Sequence, residues 1–306
     1  MRLVRYTPAG GGPVAIGLLR GQTVVPVARP DGDGDAELLA IAMSRTEPAA
    51  VGDAVGLDEV RLLTPLARPT TIRDFLTFEQ HYRNFLQRSR GTDEVPAEWF
   101  RTPVFYFTHP NNIYGDGDEV PRPDTDQLDY ELEVAAVLGA DGRDVTPEQA
   151  PDLIAGYTLF NDYSARDIAG PEMSLGLGAS KCKDFANVIG PCLATPDELE
   201  GTPGRPDTAL SARVNGKPHG GDRLASMHHS FAEMIAHAST DSWVRAGDVL
   251  GSGTCATGCL LELSSLHGED AFPWLEPGDV VELEAAGIGT LTTTVGPRPA
   301  RVRRGE

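Results

Sequence analysis

Two carboxylates stand two residues apart in an apolar run, as Glu131 and Glu133 of Asp129-Tyr130-Glu131-Leu132-Glu133-Val134-Ala135-Ala136-Val137-Leu138. The run has strand character. A period of two puts both Glu on one face, with Leu132, Val134, Ala136 and Leu138 opposite them. Ala135 and Val137 continue the Glu face as apolar, so the segment is expected to enter a core. Two like charges there repel and resist desolvation, so either one takes up a proton or a cation sits between them, and a hard divalent ion is the natural partner. The competing reading is a sheet edge with two solvated Glu. Spacing alone does not separate the two, because Val280-Val281-Glu282-Leu283-Glu284 repeats the pattern. There the Pro277-Gly278-Asp279 turn and the following Gly287 and Gly289 read as an antiparallel meander with one wet face, so that pair is expected to be solvated.

Other residues could join the first pair. Asp74 and His81 lie in Ile72 to Arg90, where Phe75, Phe78, Tyr82, Phe85 and Leu86 suit a helix. Two helical turns separate them, so one face can carry both if the helix is continuous. Taken alone they read as a cap and a surface His. Gly156 to Phe160 is a buried-strand run ending in Asn161-Asp162-Tyr163-Ser164-Ala165-Arg166-Asp167, and a charged cluster directly after a strand is a usual place for binding residues; a capped helix start is the plainer reading. Lys181 and Lys183 stand out in so acidic a chain. Glu262, among leucines, needs a partner if buried. The adjacent His228 and His229 do not converge well on one metal and read as structural. Gly176 to Lys183 lacks the spacing of a phosphate loop, and Asp31 to Ala42 lacks the Gly and Glu that a calcium loop requires.

Composition narrows the function classes. With 26 Lys and Arg against 45 Asp and Glu, the 306-residue chain carries a net charge of −19, which repels nucleic acid and anionic lipid. An anionic substrate would therefore need local basic residues. No run approaches a membrane span, and Met1 to Tyr6 lacks the apolar core of a secretory signal, so a cytoplasmic protein is expected. Cys182, Cys192, Cys255 and Cys259 form no C-x-x-C and read as buried thiols.

The elements that must position these residues follow from the same patterning. Arg2 to Tyr6, Val14 to Leu19 and Thr23 to Val27 read as a meander, and a helix follows from Glu37 to Met43. The break at Arg68-Pro69-Thr70 closes a small β-rich N-terminal domain, residues 1–68, ahead of a catalytic domain, 69–306. Val104 to Thr108 is a strand, Pro147 to Leu153 a short helix, Asn215-Gly216 a hairpin turn and Phe231 to Ala238 a helix. Arg298 to Arg304 reads as a frayed basic tail.

Several separated motifs recur in order: Arg73-Asp74-Phe75 with Phe78-Glu79-x-His81, Asp129-Tyr130-Glu131-Leu132-Glu133, Asn161 to Asp167, Lys183-Asp184-Phe185 with Gly190-Pro191, Gly251-Ser252-Gly253-Thr254 and Leu261-Glu262-Leu263. Together they resemble the fumarylacetoacetate hydrolase superfamily over roughly residues 70 to 296. The resemblance implies a mixed α+β, β-rich fold built on a mixed β-sheet roll, usually a homodimer, with Mg²⁺, Mn²⁺ or Ca²⁺ held by carboxylates. Carried over by residue, Glu131, Glu133, Asp162 and Asp74 look like the metal ligands, His81 like the general base and Glu262 like its orienting carboxylate. Arg166 and Lys183 look like the grip on an anionic keto-acid substrate and its oxyanion, and Thr254 like a substrate contact. The implied reaction is hydrolysis of a C–C bond in a β-diketo acid such as fumarylacetoacetate or an acylpyruvate. Lyase or isomerase chemistry on a related keto acid (decarboxylation, tautomerisation, hydration or dehydration) is the alternative, and a non-catalytic scaffold the third. Ala169 and Asn187 stand where the hydrolase branch often has Gln and Thr, which points to an altered pocket.

Overall fold

The alternation around Glu133 forms the middle of the fold. In the computed structural model, which describes residues 1–298, Leu132–Leu138 is a strand flanked antiparallel by Ile154–Asp162 and by Val249–Gly251. All seven of its residues are fully buried. Leu132, Val134, Ala136 and Leu138 face one hydrophobic core, and Ala135 and Val137 face a second on the other side of the sheet. The strand thus has apolar company on both faces, and the pleat aims Glu133 where Ala135 and Val137 point further along. The expected continuous strand from Asp129 is interrupted: Leu128–Asp129 pairs separately with Ser164–Ala165, and Glu131 bridges to Cys259.

This strand belongs to a mixed sheet of twelve strands among the described residues. On one side the order continues through Ile154–Asp162 and Asn187–Ala194 to Arg2–Pro8, Ala15–Arg20 and Thr23–Ala28, so the N-terminal meander extends the same sheet through the register Arg2↔Ala194 and Leu3↔Leu193. On the other side Val249–Gly251 pairs in parallel with Ile72–Phe75, which pairs antiparallel with Phe105–Thr108. A second sheet of five strands includes Ala209–Val214, Val280–Ala285 and Gly289–Val295. It packs on the first through a core that includes Tyr157, Val188, Leu283 and Leu291, and Tyr163 Oη lies 2.9 Å from Thr293 Oγ1 across the interface. The architecture is mixed α+β and β-rich, as the sequence implies.

One local expectation is corrected. Ile72 to Arg90 is not one helix: Ile72–Phe75 is a strand whose four residues are all buried, and the helix is Glu79–Arg90. Strand partners on both sides outweigh the helical spacing of the aromatics, which four buried residues could satisfy either way. Leu260–His267 is a helix, started by Asp129 rather than by its own first residues, since the Asp129 carboxylate accepts from Leu260 N at 2.7 Å and Leu261 N at 3.0 Å. All four cysteines are free and buried. No helix among the described residues is long and apolar enough to cross a membrane. Arg298 pairs with Asp124 and Asp126, and the rest of the expected tail lies outside the described residues.

Candidate active site

Register brings the acids together. Asp74 is paired with Gly251 on one side and Tyr106 on the other, Gly251 is paired with Ala135 two residues from Glu133, and Asp162 closes the strand next to Leu132–Leu138. Carboxylate oxygens of Asp74, Glu133 and Asp162 all lie within 4.8 Å of one another, and all three residues are buried. Glu131, expected beside them as a ligand, is turned to the basic groups. It accepts from Lys183 Nζ and, at 2.6 Å, from Arg166 Nη2, while Lys183 Nζ also donates to Asp162. Arg166 completes its fork on Asp129, with Nε 2.9 Å from Oδ2. Of the two lysines singled out in sequence, Lys183 is in the site and Lys181 pairs with Asp184 at the surface.

The electrostatics divide the acids into two kinds. Burial, then the charges of Asp74 and Asp162, hold the Glu133 carboxyl well above the usual range. Burial also raises Asp162 strongly, against the pull of Lys183, and raises Asp74. Glu131 goes the other way: burial would raise it, but Arg166 and Lys183, with His81, outweigh burial and hold it low. Burial likewise works against the charge on Lys183, and Asp162 and Glu131 overcome it. Glu131 is therefore the charge-compensated member, and the other three form a cluster short of positive charge.

That cluster fits a hard divalent cation. Oδ1 of Asp74 and Oδ1 of Asp162 are buried with no hydrogen-bond partner, and the donors are all carboxylate oxygens. Gly251 provides the room, since a Cβ there would come within 2.5 Å of Asp74 Oδ1 and 2.9 Å of Glu133 Oε2. Gly253, at φ 79°, turns the chain so that its N–H donates to Glu133 Oε2 at 2.9 Å and Thr254 Oγ1 lies 3.4 Å from Glu133 Oε1. In a second compact group, His81, Cys259 and Glu262, burial and the nearby Asp129 and Glu262 push the Cys259 thiol up from its usual range.

His81 and Glu262 meet from two helices. His81 sits in the first turns of Glu79–Arg90 and Glu262 in the first turn of Leu260–His267. Nδ1 is 3.1 Å from Glu262 Oε1, close enough for an ion pair, but the ring N–H is not aligned as a hydrogen bond. Asn84, one turn after His81, donates to the same oxygen at 3.1 Å. Asp74, His81, Glu131, Arg166, Lys183 and Thr254 share the wall of one cleft of about 300 Å³. Ala169 and Asn187, expected to alter the pocket, are not among the residues lining it: Ala169 is buried in the Arg166–Ser174 helix, and Asn187 donates to His109 O at 3.0 Å. His228 and His229 instead contact the carbonyls of Phe100 and Trp99.

Two groups at the site, Tyr106 and Asn84, carried no functional signal in the sequence, and a third, Asp129, carried only part of one. Tyr106 donates to Asp162 Oδ2 and places its ring 5.8 Å from Lys183 Nζ; only the cross-strand register with Asp74 reveals it. Asn84 follows His81 at the helical i+3 spacing, which becomes informative once Glu262 is known to face that helix. Asp129 was legible as part of its motif, but its grip on both Arg166 and the helix bearing Glu262 depends on tertiary structure.

Comparisons with known proteins bear on this site. A family model described as "Fumarylacetoacetate (FAA) hydrolase C-terminal" matches residues 70–296, and one described as "Rv2993c-like, N-terminal" matches residues 1–65. The chain is 29% identical over 244 residues to the oxaloacetate tautomerase YisK of Bacillus subtilis, covering 78% of this chain and 74% of that protein. It is 30% identical over 292 residues to a fumarylacetoacetase of Arabidopsis thaliana, covering 74% and 69%. The solved 5-carboxymethyl-2-hydroxymuconate delta-isomerase from Mycobacterium smegmatis superposes with a TM-score of 0.71 at 25% identity, over 98% of this chain and 100% of that one.

Proposed function

Since this chain belongs to the fumarylacetoacetate hydrolase family, we propose that it is a divalent-metal-dependent hydrolase that cleaves a C–C bond in a β-diketo acid of the acylpyruvate or fumarylacetoacetate type. The observation that carries this reading is the buried His81 facing Glu262, with His81 on the wall of a cleft that Asp74 of the acidic cluster and Glu131 also line. The joint presence of His81 and Glu262 favours hydrolysis, in which water must lose a proton as it attacks a carbonyl carbon, without excluding the proton transfer of a tautomerisation. His81 takes that proton, and Glu262 steadies the imidazolium that results. Asn84 holds the Glu262 oxygen in place.

Arg166 and Lys183 bind the keto-acid carboxylate and the oxyanion that develops on attack, and their own carboxylate partners fix them in advance so that little reorganisation is needed. Asp74, Glu133 and Asp162, with Glu131 beside them, would hold Mg²⁺ or a similar ion, which when bound supplies positive charge against the negative charge that builds on the departing fragment. Thr254, which lines the same cleft, would contact the substrate.

The test is product identification from acylpyruvates with Mg²⁺ and the purified protein. Stoichiometric release of pyruvate and the acyl carboxylate supports hydrolysis. Keto-enol interconversion of oxaloacetate with no cleavage of any diketo acid would overturn it in favour of the isomerase reading, to which the likeness to an oxaloacetate tautomerase lends weight.

A further inference from the structure

The cleft has two unlike halves. The residues that carry its chemistry are deep: Asp74, His81, Glu131, Lys183 and Thr254 are all buried. Toward the mouth its lining is Leu76, Tyr82, Phe85, Val104, Phe105 and Met173, which are partly or well exposed, Val104 at 44% and Met173 at 41%. The cations are all at the deep end. Arg166 is spanned by Asp129 and Glu131, Lys183 by Glu131 and Asp162, and His81 faces Glu262. Among the described residues lining the cleft, those able to carry positive charge are these three.

From this asymmetry we propose that the substrate is a keto acid with a single carboxylate and an uncharged, apolar acyl arm, the arm lying against Leu76, Phe85, Val104 and Phe105. The proposal rests on the keto-acid reading above and narrows it. One carboxylate is met at the deep end. A second, at the far end of the arm, would lose water against aromatic and aliphatic side chains with no partner in return, whereas methylenes placed there gain from burial. The lining therefore selects for an alkyl or aryl arm and against a dicarboxylate of the same length.

The experiment measures binding, so that it does not depend on C–C cleavage. The full-length protein with Mg²⁺ is titrated calorimetrically with 2-oxooctanoate and with 2-oxosuberate, its dicarboxylate of equal length. The monocarboxylate should bind at least about tenfold more tightly, and along the series from 2-oxobutanoate affinity should rise about three- to fourfold per methylene until the arm leaves the cleft. Val104→Lys, a change at an exposed position of the apolar wall, should raise affinity for 2-oxosuberate about tenfold relative to that for 2-oxooctanoate. Equal or tighter binding of 2-oxosuberate by the wild type, no dependence on arm length, or no binding of either acid overturns the proposal. A protein that prefers the alkyl acid but cleaves no diketo acid defeats the hydrolase reading alone; one that cleaves diketo acids but prefers the dicarboxylate defeats this proposal alone.

Discussion

Glu131/Glu133 and Glu282/Glu284 share the same spacing, the first pair straddling the start of the Leu132–Leu138 strand and the second lying within Val280–Ala285, and they end in opposite environments. In Val280–Ala285 the burial alternates, with Glu282 and Glu284 on the wetter face and Val281, Leu283 and Ala285 buried beneath. Glu284 meets Arg213 across the strand pair at 3.0 Å, with both side chains more than a third exposed. The Leu132–Leu138 strand has no wet face, and its acids are met by Asp74, Asp162, Lys183 and Arg166 from four other parts of the chain. The strand period decides only that two side chains point the same way. Whether that direction is solvent or a charged interior is decided by what the sheet topology puts opposite.

The comparison breaks most sharply on catalysis. His81→Ala should lower kcat for diketo-acid cleavage by about 10²- to 10⁴-fold while divalent-metal binding persists, whereas Glu282→Ala should leave the rate unchanged; steady-state assays and metal titration on both variants check this. A His81→Ala protein at the wild-type rate would remove the reason for setting the first pair apart as catalytic. Next in size is metal affinity. Glu133→Gln should weaken Mn²⁺ binding by about 100-fold, with Glu284→Gln indistinguishable from wild type in the same calorimetric titration. Because Glu133 sits among like charges, the metal-free Glu133→Gln protein should melt no lower than the metal-free wild type, which distinguishes loss of a ligand from loss of the fold.

The two pairs also measure how much the sequence reveals. The solvated reading of Glu282/Glu284 was available from local signals alone, since the Pro277-Gly278-Asp279 turn and the alternating strand describe a meander without reference to the rest of the chain. The two-faced burial of Leu132–Leu138 was likewise legible from Ala135 and Val137. The position of Asp74 was not: its strand is only four residues long, set just before a helix with a matching aromatic spacing, and only the parallel pairing with Val249–Gly251 identifies it. The ordered motifs supplied by family resemblance gathered the site residues. They could not say that Glu131 would face Lys183 and Arg166 while Glu133 faces two acids, because that division arises from register and from where Arg166 is anchored by Asp129.

A smaller effect tests the space beside the first pair. Gly251→Ala should weaken Mn²⁺ binding by about tenfold and cost about 1–3 kcal/mol of stability, since its Cβ would displace the carboxylates of Asp74 and Glu133 and press on Phe160. Denaturant unfolding with and without the ion separates the two effects. If affinity and stability were both unchanged, the close approach of these carboxylates to the Gly251 backbone would be wrong.

The smallest expected effect belongs to the second pair and is the most exacting check on the contrast. Glu284→Ala removes the partner of Arg213, a cross-strand ion pair of good length. Both groups keep much of their hydration, so the Coulomb gain is screened and is opposed by the entropy of holding two long side chains together. Its loss should change stability by no more than about 0.5 kcal/mol, and that small loss should shrink further as salt is raised from low to molar concentration. A loss of several kcal/mol, or one insensitive to salt, would mean that this pair too is part of a desolvated charge network, and the distinction between the strands would rest on their neighbours' chemistry alone rather than on burial.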